Sequence, residues 1–334
     1  MYPVAPGGWI MKAIRIYQNG GPEVLQYQDA PVPDPGPGEA LVEIHVSGVN
    51  FVDTYVRSGL YKPPSIPFTP GAEGSGIVSK VGSGVTDVRV GDRVAYATSM
   101  GSYAEFAVVP TWKLAPLPDS VDFRAGAAIM LQGMTAHYLT TSTYNLKSGQ
   151  TALVHAGAGG VGLLLIQIAR KIGARVIATV GTPQKGELAR AAGAHEIILY
   201  SQQDFEAELK KMTNGAGVEV VYDAVGAATW EKSLNCLKPR GYLVLYGNAS
   251  GPVPPFDPLV LMKASLFVTR PTLIHYAASR EEVRSRTQDL FGWLKSGELK
   301  LKTDYVFPLA DAAKAQIELE ARRTTGKVLL AVRD

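Results

Sequence analysis

The sequence predicts an α/β protein in which a β-rich N-terminal region precedes a doubly wound parallel sheet. Short apolar segments punctuated by Gly and Pro run from Lys12 to about Pro118, a pattern typical of a compact barrel or sandwich. After Pro118, strand-like and helix-like segments alternate, which favours a parallel sheet with helices on both faces. A glycine-rich turn at residues 155–162 joins one of these strands to one of these helices.

The β-rich region is predicted to contain several short strands connected by turns. The segment 41–46 alternates apolar and polar residues at the period of a strand. The proline-rich segment 31–38 is predicted to be a rigid surface connector, because proline removes a ladder hydrogen bond. The predicted strands cover residues 12–17, 41–46, 75–82, 91–96 and 103–109.

The second region is predicted to begin with a helix over 120–144 and to continue as alternating strands and helices. Its predicted strands are 151–154, 175–180, 197–200, 218–223 and 242–246, with helices at 162–172, 184–192 and 204–212. The tail is predicted to hold a helix over 280–294, a strand near 305–307, a helix over 311–322 and a strand over 327–332. Composition leaves open whether this tail extends the parallel sheet or returns to the first region.

Composition excludes several classes of protein. The chain has 334 residues, 46% hydrophobic and 19% charged, with a net charge of +3, so neither nucleic acid nor a membrane surface is indicated as a partner. A single cysteine, Cys236, excludes an internal disulfide and fits a cytoplasmic location. No apolar run reaches the length of a membrane span. Residues 1–10 lack the features of a signal peptide, and we interpret them as an upstream start or an expression remnant.

The glycine-rich turn carries the strongest functional signal. Gly157, Gly159 and Gly162 fill the pattern G-x-G-x-x-G between a predicted strand and a predicted helix, which is the context of a dinucleotide site. The helix start offers free N–H groups and the positive end of a dipole to a pyrophosphate. A tight turn in another doubly wound fold is the structural alternative.

The end of the next strand bears on which dinucleotide is bound. A site for NAD usually has a carboxylate there to bind the ribose hydroxyls. Here the strand ends at residues 178–182 without one, and the nearest carboxylate, Glu187, lies inside the following helix. Lys185 would attract a 2′-phosphate, so the sequence favours NADP(H) over NAD(H). The alternative is that Lys185 is only a solvated lysine in the first turn of the helix.

Metal ligands are scarce in the sequence, and no metal site is predicted. One cysteine cannot build a four-cysteine zinc lobe, and no two of the five histidines are close in sequence. The chemistry is therefore expected to come from the organic cofactor.

Several motifs together resemble one family. The chain resembles the zinc-independent NADPH:quinone oxidoreductases, the zeta-crystallin-like branch of the medium-chain dehydrogenase/reductase superfamily. Zinc-dependent members of the superfamily have Cys-x-x-Asp and Gly-His-Glu where this chain has Asn50 and Ala72 at the ligand positions. The family often has Asn-Tyr where this chain has Leu199-Tyr200. The motifs lie at residues 20–25, 48–61, 71–78, 158–162, 180–185 and 246–248.

The resemblance implies an architecture and an assembly. It implies a GroES-like, partly open β-barrel over 11–133, a Rossmann NADP-binding domain with a doubly wound parallel sheet over 134–272, and a C-terminal segment over 273–334 that returns to the barrel. The active site would lie in the cleft between the domains. Family members commonly form homodimers through the Rossmann sheet.

The resemblance also implies roles for individual residues. Asn50 and Tyr55 are the expected catalytic residues, facing the nicotinamide and the substrate pocket. The expected NADPH-binding residues are Asn50, Thr135, Gly159, Gly160, Val161, Gly181, Thr182, Lys185, Tyr200, Tyr246, Gly247, Asn248, Thr269, Arg270 and Arg322.

The expected reaction is zinc-free transfer of a hydride, or of single electrons, from the nicotinamide to a quinone. Quinones are already electrophilic, so positioning and hydrogen-bond support for the developing oxygen charge would suffice without a strong general acid. Two alternatives stay open. One is an NADPH-dependent alkenal or enone reductase. The other is a non-catalytic, NADPH-linked RNA-binding or structural protein, for which the even scatter of charge supplies no basic stripe.

Overall fold

The computed structural model describes residues 9–63 and 65–333. Residues 1–8, which hold most of the segment interpreted as an upstream start or expression remnant, lie outside them. The chain divides into two compact units. The first unit extends to Leu131 and also contains Ala277–Ser296 and the segment from Leu301 onward, while the second contains Gln132–Tyr276 and Gly297–Lys300.

The first unit is built mainly of antiparallel strands. Its strands are β1 (Ile10–Arg15), β2 (Gln26–Pro31), β3 (Glu39–Val49), β4 (Glu73–Val81), β5 (Arg93–Ala97), β6 (Phe106–Pro110), β7 (Ala115–Pro116), β14 (Tyr305–Pro308) and β15 (Val328–Ala331). Its helices are α1 (Phe51–Ser58), α8 (Arg280–Ser296) and α9 (Ala312–Glu320), and the division between the units falls inside α2 (Phe123–Tyr138). Among the described residues, β1 pairs with β2, and a larger sheet has the order β14-β15-β3-β4-β5-β7, with β6 also paired to β3.

The C-terminal tail returns to the first unit. β15 runs antiparallel to β3, with Val328 opposite Val49 and Ala331 opposite Val46, and it pairs with β14 on its other side. Most of its side chains are buried, which explains why it takes an interior position with a neighbour on each side. The last strand of the tail therefore belongs to the antiparallel sheet of the first unit and does not extend the parallel sheet.

The second unit holds the parallel sheet. Its strands are β8 (Thr151–Val154), β9 (Arg175–Val180), β10 (Glu196–Leu199), β11 (Val218–Asp223), β12 (Leu237–Leu245) and β13 (Phe267–Thr269). The helices α3 (Gly160–Ile172), α4 (Pro183–Ala191), α5 (Phe205–Met212), α6 (Trp230–Asn235) and α7 (Leu273–Tyr276) belong to this unit. In the described part of the chain, the sheet order is β10-β9-β8-β11-β12-β13 and every neighbouring pair is parallel. This is the strand order of the Rossmann fold, so the predicted fold class is confirmed.

The sequence pattern accounts for these elements. All four residues of β8 are buried, as expected for a central strand covered on both faces, and three of them are apolar without alternation. Helix α3 ends at Ile172 and is capped by Gly173, whose φ of +91° is the left-handed conformation that stops a helix. Leu153, Ile177 and Val221 of three adjacent strands meet in the core of this unit.

Six of the elements named above are missing from the sequence-based prediction: β2, α1, β7, α6, β13 and α7. Helix α1 was missed because its buried face is partly polar, with Asp53 and Arg57 both almost fully buried. Arg57 is satisfied there by Gln316 and Glu320 of α9. Strand β13 has three residues, too few for a periodic signal.

Candidate functional site

The predicted cofactor residues of the second unit collect along one edge of its sheet. Because parallel strands all end on the same side, the loops that follow β8 to β13 lie along what we call the carboxyl edge. The residues at these strand ends and in these loops are Gly159, Gly160 and Val161 after β8; Gly181, Thr182 and Lys185 after β9; Tyr200 after β10; Tyr246, Gly247 and Asn248 after β12; and Thr269 and Arg270 at β13.

The glycine-rich loop is shaped by close backbone approaches. Ala156 has a φ of +53°, and the Gly157 N–H donates to the carbonyl of Thr179 at 3.0 Å, which ties the loop to β9. A Cβ at Gly162 would overlap the carbonyl oxygen of Ala156. The N–H groups of the first turn of α3 have no acceptor inside the helix, so the loop presents them as donors to an anion.

Helix α2 supplies a side chain beside this loop that the sequence did not single out. The carboxamide of Gln132 lies over Gly160 so closely that a Cβ on Gly160 would overlap it. Thr135, a predicted cofactor residue, follows on the same helix and is 8% exposed. Gln132 was missed because a glutamine inside a helix has no motif of its own.

The loop after β9 fits the end of a dinucleotide that carries a 2′-phosphate. The Thr182 hydroxyl caps α4 by accepting the N–H of Lys185 at 3.3 Å. The Tyr200 ring, 45% exposed, lies so close to Gly181 that a Cβ there would come within 2.7 Å of the hydroxyl. No carboxylate follows the strand in residues 181–186, so nothing in this loop would repel a phosphate.

The loops after β11 and β12 interlock. The Tyr246 N–H donates to the carbonyl of Asp223 at 2.9 Å, and Gly247 packs against the backbone of Ala224, leaving no space for a Cβ. The Arg270 guanidinium donates to the carbonyl of Leu245 at 3.0 Å. These contacts bring the predicted residues of β12 and β13 to one stretch of the carboxyl edge.

A buried hydrogen-bond network that no sequence motif predicts lies beneath the edge. His155 Nδ1 lies 2.8 Å from the Thr179 hydroxyl, and Nε2 lies 3.0 Å from that of Ser233. The Ser233 hydroxyl donates to the Asp223 carboxylate at 3.1 Å, so its oxygen accepts from His155 Nε2. Burial lowers the pKa of His155, consistent with a neutral ring that joins the ends of β8, β9 and β11.

The first unit contains a second group of buried polar residues, which we call the polar cluster: Asn50, Asp53, Glu73 and Lys327. Asn50 Nδ2 donates to Glu73 Oε2 at 2.9 Å, and Lys327 Nζ donates to Asn50 Oδ1 at 2.8 Å. Lys327 also forms an ion pair with Glu73. All four residues are at most 5% exposed.

Asp53 receives hydrogen bonds from two sides but remains strongly desolvated. Its Oδ2 accepts the backbone N–H of Asn50 at 2.8 Å and the hydroxyl of Tyr103 at 3.0 Å. Burial raises the pKa of this carboxyl to about 7, against the lowering effect of these hydrogen bonds and of Lys327.

The other predicted residues of the first unit are Tyr55 and Arg322. Tyr55 lies on α1, 8% exposed, and its ring packs edge-on against Tyr61 with centroids 5.2 Å apart. Arg322 follows α9 with a φ of +58°. The predicted set is therefore divided, with Asn50, Tyr55 and Arg322 in the first unit and the rest in the second.

Lys327 was missed because it precedes an apolar strand and has no local signal for its partners. Within residues 9–63 and 65–333, no group of three or more His, Cys, Asp or Glu side chains could hold a metal ion. The same ranges include no helix that could cross a bilayer, judged by length and apolar character.

Comparison with known proteins identifies the family. Residues 36–119 match the alcohol dehydrogenase GroES-like domain, and residues 160–294 match a family described as zinc-binding dehydrogenase. A quinone oxidoreductase of Pseudomonas aeruginosa is 48% identical over 96% of this chain and 99% of its own length. A 2-haloacrylate reductase of a Burkholderia species is 40% identical over 96% of this chain and 98% of its own.

A solved structure agrees with both the fold and the family. The crystal structure of Escherichia coli quinone oxidoreductase complexed with NADPH superposes with a TM-score of 0.94 at 45% identity, covering 96% of this chain and all of that one. With this fold, these two domain matches and near-complete coverage, the chain belongs to the quinone oxidoreductase family of the medium-chain dehydrogenase/reductase superfamily.

Proposed function

We propose that this chain is an oxidoreductase that reduces quinones with NADPH. The observation that carries the proposal is the carboxyl edge, where a glycine loop opens α3 and the next loop offers Thr182 and Lys185 without a carboxylate. Family membership supports it, because the quinone oxidoreductases of P. aeruginosa and E. coli are nearly half identical to this chain over almost its whole length.

The residues of the carboxyl edge would hold the cofactor by its charged and polar parts. The first-turn N–H groups at Gly160 and Val161 would take the pyrophosphate. Lys185 and Tyr200 would take the adenosine end with its 2′-phosphate. NADPH, when bound, supplies the reducing equivalents. The remaining predicted contacts are Thr135, Gly159, Gly181, Thr182, Tyr246, Gly247, Asn248, Thr269, Arg270 and Arg322.

Asn50 and Tyr55 are proposed to act on the quinone. Their side chains would donate hydrogen bonds to the quinone oxygen as negative charge develops there, which lowers the barrier most when the donors are already oriented. The reduced oxygen resembles a phenolate and is a weak base, so water can supply its proton. No metal is needed in this scheme.

The test is oxidation of NADPH and NADH by the purified chain with a panel of ortho- and para-quinones, with and without a chelator. We expect NADPH to be preferred and the chelator to have no effect. Equal rates with both cofactors would contradict the cofactor assignment, and strong inhibition by the chelator would contradict the metal-free scheme.

Reduction of an activated carbon–carbon double bond is a second candidate function. It is favoured by the 40% identity with a 2-haloacrylate reductase over nearly the whole chain. The same cofactor site would serve both reactions. Steady-state rates with enones, alkenals and 2-haloacrylates, measured beside the quinone panel, separate the two, because the preferred substrate class has the higher kcat/KM.

We also propose a homodimer formed at the β13 edge of the parallel sheet and a cytoplasmic location. Supporting the dimer, Leu259, Met262 and Phe267 near this edge are large apolar side chains between 48% and 76% exposed. Light scattering should give twice the chain mass of 35.7 kDa. A Phe267→Lys variant should shift the mass toward one chain, and a monomeric wild type would contradict the dimer.

A further inference from the structure

The side-chain amide of Asn50 is held at both ends. Its Oδ1 accepts from Lys327 Nζ at 2.8 Å, and its Nδ2 donates to Glu73 Oε2 at 2.9 Å. The residue is 5% exposed, so water has little access to replace either partner. The two partners come from strand β4 and from the turn before β15, far from Asn50 in the sequence.

Lys327 and Glu73 also pair with each other in a fully buried setting. Their side chains are 2% and 0% exposed, respectively. Desolvation cancels much of the attraction within a buried ion pair. Well-packed apolar residues in the same place often stabilise a fold at least equally. Glu73 is fastened further, since Oε1 accepts the N–H of Leu131 at 2.5 Å. A contribution to folding stability alone is therefore a weak explanation for the presence of the ion pair between Glu73 and Lys327.

The charges select one orientation of the amide. An amide has an acceptor end and a donor end of nearly the same shape. If the Asn50 amide were flipped, its oxygen would face the Glu73 carboxylate and its NH2 group would face the Lys327 ammonium. Both contacts would be repulsive, so the ion pair keeps the donor end on the Glu73 side.

Strand β3 makes room for this arrangement. A Cβ at Gly48 would overlap Glu73 Oε2 and would lie 2.7 Å from Lys327 Nζ. No positive φ requires glycine at this position, so space for the pair is its evident role. The cluster is thus supported by three separated segments of the first unit.

We propose that Glu73 and Lys327 are positioning residues that set the orientation of the Asn50 amide. This inference rests on the proposed function, in which Asn50 donates a hydrogen bond to the substrate oxygen. The pair keeps Nδ2 as the donor and prevents the amide oxygen from taking its place, where it would repel the charge that develops on the substrate.

The test is a double variant, Glu73→Gln with Lys327→Gln, that removes both charges and keeps hydrogen-bonding groups of similar size. Glutamine amides can pair with either orientation of Asn50, so the selection is lost. We expect kcat with a quinone to fall about tenfold, with the NADPH dissociation constant, measured by fluorescence titration, within twofold of the wild type. In an Asn50→Ala background the same two changes should cause no further loss of kcat.

The control is Arg280→Met, which breaks the ion pair of Arg280 with Asp87 in the same unit and should leave kcat unchanged. Wild-type kcat in the double variant, or an equal loss in the Asn50→Ala background, would overturn the proposal. If the double variant does not fold, Gly48→Ala carries the same test, because it displaces the pair without changing a charge. Failure of the proposed function is distinguished by the wild type itself, which would then reduce no quinone with NADPH.

Discussion

The carboxyl edge of the second unit is built from backbone, whereas the polar cluster of the first unit is built from side chains. At the edge, glycines let strands, turns and helix ends approach one another, and short segments such as 155–162 contain most of what is needed. In the cluster, Asn50 meets Glu73 and Lys327, which are 23 and 277 positions away. A local backbone device leaves a motif in the sequence, and a long-range side-chain network leaves none.

The substitution expected to disturb the carboxyl edge most is Gly162→Ala. The added methyl would overlap the Ala156 carbonyl, which belongs to the loop backbone and cannot rotate away. We expect the NADPH dissociation constant to rise about a hundredfold, because a displacement of about 1 Å in a positioning element has effects of that order. Fluorescence titration measures it.

The matched control is Gly292→Ala in α8. A Cβ there meets nothing within 4 Å, and alanine favours a helix over glycine by about 1 kcal/mol. This variant should bind NADPH like the wild type and unfold at a slightly higher temperature. If Gly162→Ala binds NADPH equally well, the glycine loop is not the cofactor cradle.

Lys185→Ala tests the charged side chain of the carboxyl edge that is proposed to bind the 2′-phosphate. Removing the lysine should raise the dissociation constant of NADPH about tenfold, as expected for loss of a charged hydrogen bond. The dissociation constant of NADH should stay nearly unchanged. Dissociation constants for both cofactors give the ratio directly. Equal losses of affinity for NADPH and NADH would contradict the assignment of Lys185 to the phosphate site. Lys185→Arg keeps the positive charge and should retain most of the preference for NADPH.

The two regions should also respond to pH in opposite directions. Because the pKa of Asp53 is raised from 3.8 to about 7 in the folded protein, the folded state holds a proton that the unfolded state has lost between these values. Its contribution to stability therefore falls as pH rises through this window, by at most about 1.4 kcal/mol per pH unit. The lowered pKa of His155 has the opposite effect, because the unfolded state takes up the proton as pH falls below 6.5.

Chemical denaturation between pH 4.5 and 8 checks this prediction in single variants. Asp53→Asn should lose the decline of stability toward pH 7, and His155→Gln should lose the decline toward acid. If neither substitution alters the pH dependence, the buried Asp53 and His155 do not titrate in the way that their surroundings imply.

The sequence alone predicts the second unit well because its determinants are local. Alternating apolar segments predict the strands and helices around β8, α3 and β9, and the strand–glycine–helix pattern predicts the cofactor loop. Gln132 escapes prediction because its position over Gly160 depends on how α2 packs. The short strand β13 escapes because three residues show no period.

The sequence by itself determined the α/β class, the glycine loop of the carboxyl edge and the absence of a carboxylate after β9, since each depends on neighbouring residues. Only the tertiary structure decided that β15 pairs with β3, which carries Lys327 to Asn50 and Glu73. Contacts between neighbours in sequence follow from backbone geometry and residue type. A contact across most of the chain depends on the burial of whole strands, and no pattern within any single segment records it.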